Sequence, residues 1–254
     1  MSRKKLRIMP ITGHPADAFQ RCGGALAKHI KAGDEAHILS LSYGERGEAE
    51  ALWQKGMDID EIKRVKDKEA QDAAKILGCS IECLDFGDNP ILIDWNRQLK
   101  IADAIRGFKP DIVITHFLGD PYEDHVTTNR TVMACLSFLG FYHHRGIPDE
   151  RALKNPPHNV AATYFMEPSR GTAEIGGWKP SFYVDITDVV DIKRKAMDVM
   201  ESQNIFRGKR EPLSHYFADL CNEWRGYACG VQYAEGYAAR THQAFKLFPY
   251  VYSL

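Results

Sequence analysis

The sequence predicts an α/β protein: a doubly wound, mainly parallel sheet flanked by helices, in the Rossmann-like manner. Three observations predict it. Short apolar runs of strand length alternate about four times with longer stretches whose apolar residues fall at helical spacing. Glycines follow the helical stretches as stops. Ionisable residues gather just past the predicted strand ends, where sheets of this kind bind their ligands.

The elements follow in order. Residues 6–12 (LRIMPIT) read as a buried strand ending in Gly13-His14-Pro15. Helical spacing over 18–32 stops at Gly33, and strand 36–41 leads into the loop 44–48. A charged amphipathic helix over 61–77 ends at Gly78, followed by strand 81–86, helix 96–106, strand 111–116 and helix 126–139. The second half adds strands 161–166 and 182–186 and a helix over 189–203. Pro156-Pro157 marks a loop, and no internal repeat divides the chain, so residues 1–254 are expected to form one domain. His14, Glu45, Glu48, Asp88, His116 and Asp120 all fall just beyond a predicted strand.

Composition permits a sizeable core and narrows the partners. Hydrophobic residues make up 44% and charged residues 26%, as in an ordinary soluble chain. With 33 basic and 34 acidic side chains, there is no global charge to draw in nucleic acid or an anionic membrane. The opening MSRKKLRIMPITGHP has no apolar run of signal-peptide length, and no stretch approaches the roughly 20 apolar residues of a membrane span. The expectation is a cytoplasmic protein that acts on a small molecule, with homo-oligomerisation left open. Cys22, Cys79, Cys83, Cys135, Cys221 and Cys229 form no metal-binding spacing and are expected as free thiols.

Two clusters carry the chemistry. Gly13-His14-Pro15-Ala16-Asp17 places an imidazole and a carboxylate three residues apart on a strand-to-helix turn. His116, Asp120 and the run Pro121-Tyr122-Glu123-Asp124-His125 follow the fourth strand. Two imidazoles and one carboxylate, with a position left open, are what a catalytic zinc needs. The open position takes water or a substrate oxygen. The same donors suit manganese or ferrous iron. On residue type alone, His14 also reads as a structural histidine, and Asp17 as a helix cap.

The motif Gly13-His14-Pro15-Ala16-Asp17-Ala18, the pair Gly23-Gly24, Ala27, Gly33 and Asp124-His125 extend to Val184-Asp185-Ile186-Thr187, Lys193, Ser202-Gln203 and Tyr233-Ala234-Glu235-Gly236-Tyr237. Together they resemble the LmbE-like, or PIG-L, family of metal-dependent N-deacetylases over nearly the full length. The resemblance implies zinc on His14, Asp17 and His125. Two positions depart from it. The family's general-base aspartate is Ala16 here, and its oxyanion-stabilising histidine is Tyr122. Alanine takes no proton, and losing a positioned base typically costs 10²–10⁴-fold. Either another carboxylate substitutes or the reaction is not amide hydrolysis.

Ser42-Tyr43-Gly44-Glu45-Arg46-Gly47-Glu48, then Leu52-Trp53, Lys55-Gly56 and Glu167-Pro168, resemble the 4-oxalomesaconate hydratases, members of the same fold family that add water to a double bond. Their first motif also lacks the deacetylase base. The resemblance implies proton transfer by Glu48, and it places Ser169 where the hydratases carry a histidine. The expected function is therefore a metal-dependent hydro-lyase acting on an unsaturated keto-carboxylate. The alternative is a zinc N-deacetylase acting on an N-acetylated sugar or related amide. A non-enzymatic metabolite binder would have had no reason to keep three good ligands. Glu48, Tyr122 and Asp124 are the expected catalytic residues, and Glu45, Arg46 and Ser169 the expected substrate contacts. Arg46 could clamp a carboxylate bidentately.

Overall fold

A computed structural model describes residues 4–141, 153–168, 172–174, 176–203 and 212–241. The first half runs β1 (Arg7–Thr12), α1 (Pro15–Lys31), β2 (Glu35–Ser40), α2 (Glu50–Trp53), α3 (Ile59–Leu77), β3 (Ser80–Cys83), α4 (Trp95–Phe108), β4 (Ile112–Thr115) and α5 (Glu123–Phe138). The second runs β5 (Ala162–Met166), β6 (Phe182–Asp185), α6 (Val190–Asp198), a 3-10 turn (Glu201–Gln203), a π-helical stretch (His215–Asn222), α7 (Glu223–Cys229) and β7 (Ala234–Ala239).

The strands form one sheet in the order β3-β2-β1-β4-β5-β7-β6. β3, β2, β1, β4 and β5 pair in parallel, and β7 is antiparallel to both β5 and β6. The chain leaves β1 toward β2 and β3, then returns to β4 on the other side. The loops after β1 and β4 therefore diverge and open a crevice at the carboxyl edge, the switch point where such sheets bind ligands.

Alternate strand residues face opposite layers, as the two-residue period of a strand requires. Ile8, Ile38, Ile81 and Ile114 pack with α1, α3 and α6, whereas Met9, Leu39 and Val113 pack with α4 and α5. Pro15 sits at the first position of α1, where its missing N–H is not needed. Asp58 and Asp94 cap α3 and α4 by accepting from Glu61 N and Arg97 N, each at 2.8 Å.

The structure differs from the sequence reading in several elements, and α2, the π-helical stretch and α7 are additions to it. α1 and α5 start about one turn earlier than periodicity suggests, which puts Asp17, Asp124 and His125 inside first turns. The expected helix 189–203 stops at Asp198, and Ser202 N donates instead to Glu69 Oε1 at 2.8 Å. β7 was not anticipated, because AEGYAA lacks the β-branched residues that mark a strand. No helix among the described residues is long and apolar enough to cross a membrane, and all six cysteines are free.

Candidate metal centre and active site

Four strand ends supply the site. The turn after β1 carries His14 and Asp17, the loop after β2 carries Glu48, the loop after β3 carries Asp88, and the segment after β4 carries His116, Asp120, Tyr122, Asp124 and His125. The parallel register brings these ends together, so residues more than 100 positions apart meet. Gly13 N, for example, donates to His116 Nε2 at 2.9 Å.

His14 Nδ1 and His125 Nε2 each lie 3.3 Å from Asp17 Oδ2. Zinc ligated at about 2.0–2.1 Å in a tetrahedron would set its donors about 3.3–3.4 Å apart, so the spacing fits. His14 Nδ1 is buried and has no hydrogen-bond partner among the described residues. A buried polar atom without a partner calls for a ligand. The far nitrogens are also prepared. His14 Nε2 is 2.9 Å from Asp88 Oδ1 and 3.4 Å from Asp124 Oδ2, and His125 Nδ1 is 3.0 Å from Asp120 Oδ1. A carboxylate behind each imidazole fixes its tautomer and raises its basicity toward a cation, the usual support of metal-bound histidine. His116–Asp120–His125 and His14–Asp88–Asp124 are also spaced like metal groups, but their carboxylates occupy these rear positions.

The electrostatics agree. Burial opposes charge on His14, but Glu48, then Asp124, Asp17 and Asp88, raise its pKa well above the ordinary range. Burial opposes charge on Asp17 as well, yet His125, His116 and Arg21 hold it well below the usual carboxylate value. Asp88 is likewise buried, but its hydrogen bond to His14 and the N–H groups of Gly47 and Arg46 bring it down to about 2. Burial, reinforced by His125, pushes His116 far down. Its ring stacks on His125 with centroids 3.9 Å apart, and its Nε2 is taken by Gly13 N. His116 thus packs and orients His125. Five carboxylates crowd two basic imidazoles and Arg21, a charge balance that a divalent cation improves.

Glu48 borders the cluster, with Oε1 3.9 Å from His14 Nδ1. It lines a cleft of about 260 Å³ together with His14, Asp17, Arg21, Tyr122 and His125. Tyr122 is exposed, and its ring centroid lies 5.3 Å from that of His125. Ala16 is fully buried in the core and offers no acid there.

The other expected residues are placed differently. Asp124 also lines the cleft, but its oxygens accept from Ile91 N at 2.7 Å and Asn89 N at 2.9 Å. Glu45 is buried with Oε2 unpartnered among the described residues, and burial raises its pKa. Arg46 is exposed, and its backbone N donates to Asp88 Oδ2 at 2.6 Å. Neither Glu45 nor Arg46 lines the cleft, whereas Arg21 does. Arg21 binds the carbonyl of Glu167 at 2.7 Å and lies 3.3 Å from Asp17 Oδ1. Ser169 lies outside the described residues. Position after a strand marked Asp88, His116 and Asp120, but nothing in the sequence alone put Asp88 and Asp120 behind the imidazoles or His116 against the His125 ring.

Residues 9–136 match PIG-L, described as GlcNAc-PI de-N-acetylase. The chain belongs to the PIG-L family. Within this family it is 34% identical over 205 residues to 4-oxalmesaconate hydratase of Pseudomonas putida, across 80% of this chain and 76% of that protein. It is 26% identical over 235 residues to diacetylchitobiose deacetylase of Thermococcus kodakarensis, across 91% of this chain and 81% of that one. The solved 4-carboxy-2-hydroxymuconate hydratase of Pseudomonas putida KT2440 superposes with a TM-score of 0.83 at 29% identity, covering 97% of this chain and 100% of that one. The chain is thus a PIG-L enzyme with hydratase and deacetylase relatives.

Proposed function

We propose that this PIG-L enzyme is a metal-dependent hydro-lyase that adds water across the double bond of an unsaturated keto-carboxylate. The observation that carries the reading is the exchange of carboxylates around the cluster. Position 16, where the family's deacetylases keep their base, is a buried alanine, while Glu48 Oε1 stands 3.9 Å from His14 Nδ1. The chain's similarity to the Pseudomonas putida hydratase supports it.

His14 Nδ1, Asp17 Oδ2 and His125 Nε2 would hold the ion, zinc by donor type, with manganese or ferrous iron compatible. Bound there, the ion supplies Lewis acidity toward a substrate oxygen. The chain's residues do the rest. Glu48 takes a proton from water as the water oxygen forms a bond to the alkene carbon remote from the keto group. The π electrons move toward the carbonyl, and the carbon beside it then takes a proton, which protonated Glu48 returns. One C–O and one C–H bond form, one π bond is lost, and Glu48 ends as it began. Asp88 and Asp124 orient His14, and Asp120 orients His125. Tyr122 donates a hydrogen bond to substrate from the cleft's open side. Arg46, exposed next to Gly47, which lines the cleft, receives a substrate carboxylate.

The test is Glu48→Gln, assayed by loss of the substrate's ultraviolet absorbance. Metal content and fold should persist while kcat falls about 10²-fold or more, as for a positioned acid–base group. If Glu45→Gln is crippled instead and Glu48→Gln is not, the role belongs to Glu45.

A further inference from the structure

The two oxygens of Glu48 have different surroundings. Oε1 faces His14 Nδ1, whereas Oε2 accepts from Gln203 Nε2 at 2.7 Å and lies 3.7 Å from Lys66 Nζ. The free oxygen is therefore the one that faces the cleft. Gln203 is itself held on two sides. Its Oε1 accepts from Gln20 Nε2 at 3.2 Å, and Gln20 lies on α1, which also carries Asp17. The amide of Gln203 is thereby turned so that its nitrogen points at Glu48. The residue before it is pinned as well: Ser202 N and Oγ both donate to the carboxylate of Glu69, at 2.8 and 2.5 Å. This bond ends helical pairing after Asp198 and fixes the 3-10 turn at the cleft.

Glu69 and Lys66 lie three residues apart on α3, so they share one face of that helix. Lys66 is fully buried and donates to the carbonyl of Glu48 at 3.1 Å. One helix thus holds the backbone of Glu48 through Lys66 and the turn that carries Gln203 through Glu69. The loop leaves no slack on the opposite side. Gly44 has φ +70°, and a Cβ there would stand 2.9 Å from Glu48 Oε2. The carboxylate is seated against bare backbone.

We propose that Gln203 is a positioning residue that holds Glu48 Oε2, so that Oε1 alone is presented to the substrate. The proposal rests on the reading of Glu48 as the proton-transfer group. Gln203 does not move a proton. It fixes the angle and depth of the group that does, and a misplacement of about 1 Å at such a group can cost on the order of 10²-fold.

The experiment is a double-mutant cycle with Gln203→Leu and Glu48→Gln, combined with a crystal structure of the zinc-loaded Gln203→Leu protein. Leucine keeps the volume and removes the amide. Gln203→Leu should lower kcat roughly tenfold to a hundredfold. KM should stay within about twofold, because the Gln203 amide, although it lines the cleft, is engaged by Gln20 and Glu48. Zinc content should remain that of the parent. In the Glu48→Gln background the same substitution should cost almost nothing further, because its effect passes through Glu48. The crystal structure should show the Glu48 carboxylate rotated away from His14. Equal losses in both backgrounds, or a rise in KM with kcat unchanged, would overturn the proposal, since Gln203 would then act on its own. If Glu48→Gln itself turns over normally, the proton-transfer reading fails separately. The crystal structure still decides the tether in that case: a Glu48 carboxylate unmoved in Gln203→Leu refutes it.

Discussion

Two buried polar clusters are built on α1, one at its first turn and one at its middle, and they differ in how completely their groups are satisfied. At the middle, Glu235 Oε1 accepts from Gly24 N at 2.8 Å and Lys193 Nζ at 2.6 Å, while Oε2 accepts from Ala25 N and Tyr237 Oη, both at 2.8 Å. Lys193 also donates to Asn222 Oδ1 at 2.6 Å, and Asn222 Nδ2 donates to the carbonyl of Ala234 at 3.0 Å. Every charge is matched, and the cluster ties α1 to α6, β7 and the π-helical stretch. At the first turn, His14 Nδ1 and His116 Nδ1 are buried without hydrogen-bond partners among the described residues. Carboxylates outnumber cations there, and the donors converge. A saturated buried network stabilises and specifies a fold, whereas an unsaturated one is built for something that binds.

The largest expected effect tests the second cluster. His125→Ala should remove the bound divalent ion and take turnover to background. The metal-free variant should also melt below the metal-free parent, because Asp17 and Asp120 lose the imidazole that faces them. Elemental analysis and thermal melts read both, and full metal occupancy in the variant would break the contrast.

Glu235→Ala tests the other cluster. It leaves Lys193 fully buried beside Asn222 alone, and stranding a buried charge costs about 3–5 kcal/mol. Denaturant unfolding should show that loss, while the protein that remains folded keeps its metal. A smaller effect is expected at the same face of α1. Gly24→Ala would put a Cβ 2.7 Å from the Ile186 side chain, so overpacking should cost about 1–3 kcal/mol, again without touching metal content.

The fold was legible because it follows local rules, and the proposed ligand triad could be named because its residues sit in motifs that resemble a known family. Strand runs, helix periods and glycine stops are written within about 20 residues, and His14, Asp17 and His125 stand at element starts, where the structure brings them together. The antiparallel end was less legible. β7 is a strand of small residues held by its neighbours β5 and β6 rather than by its own propensity. The rear carboxylates Asp88 and Asp120 were visible only as acids past strand ends, since their roles depend on strand order. Lys66, Glu69 and Gln20 carried no signal at all. A lysine in a charged helix reads as solvated, and only tertiary packing shows that Lys66 is buried against Glu48. The exposure of Arg46 and the burial of Glu45 were equally invisible in the sequence, because a loop's side-chain directions are set by its turns.

The smallest effect is on pH dependence, and it should separate metal-free from metal-loaded protein by sign. The raised pKa of His14 in the fold means that its charge stabilises metal-free protein fully below about pH 6.5 and is lost as pH rises through the folded value. Asp88 works in the opposite direction. Its stabilisation is present above about pH 4 and fades as pH falls toward about 2. Metal-free protein should therefore lose stability on the alkaline side of about pH 6.5. Metal-loaded protein should instead bind its ion more tightly there, since metal competes with the His14 proton. Melts with and without zinc across that range should have slopes of opposite sign, and parallel slopes would argue against the ligand assignment.

The most direct test of the central claim is a paired mass-spectrometric assay of the zinc-loaded protein, with an unsaturated keto-dicarboxylate in one vessel and an N-acetylated amino sugar in the other. The exchange of Ala16 for the family's base, with Glu48 at the cluster instead, predicts a product heavier by one water in the first vessel and no acetate in the second. Acetate release from the sugar, with the keto acid unchanged, would contradict the account.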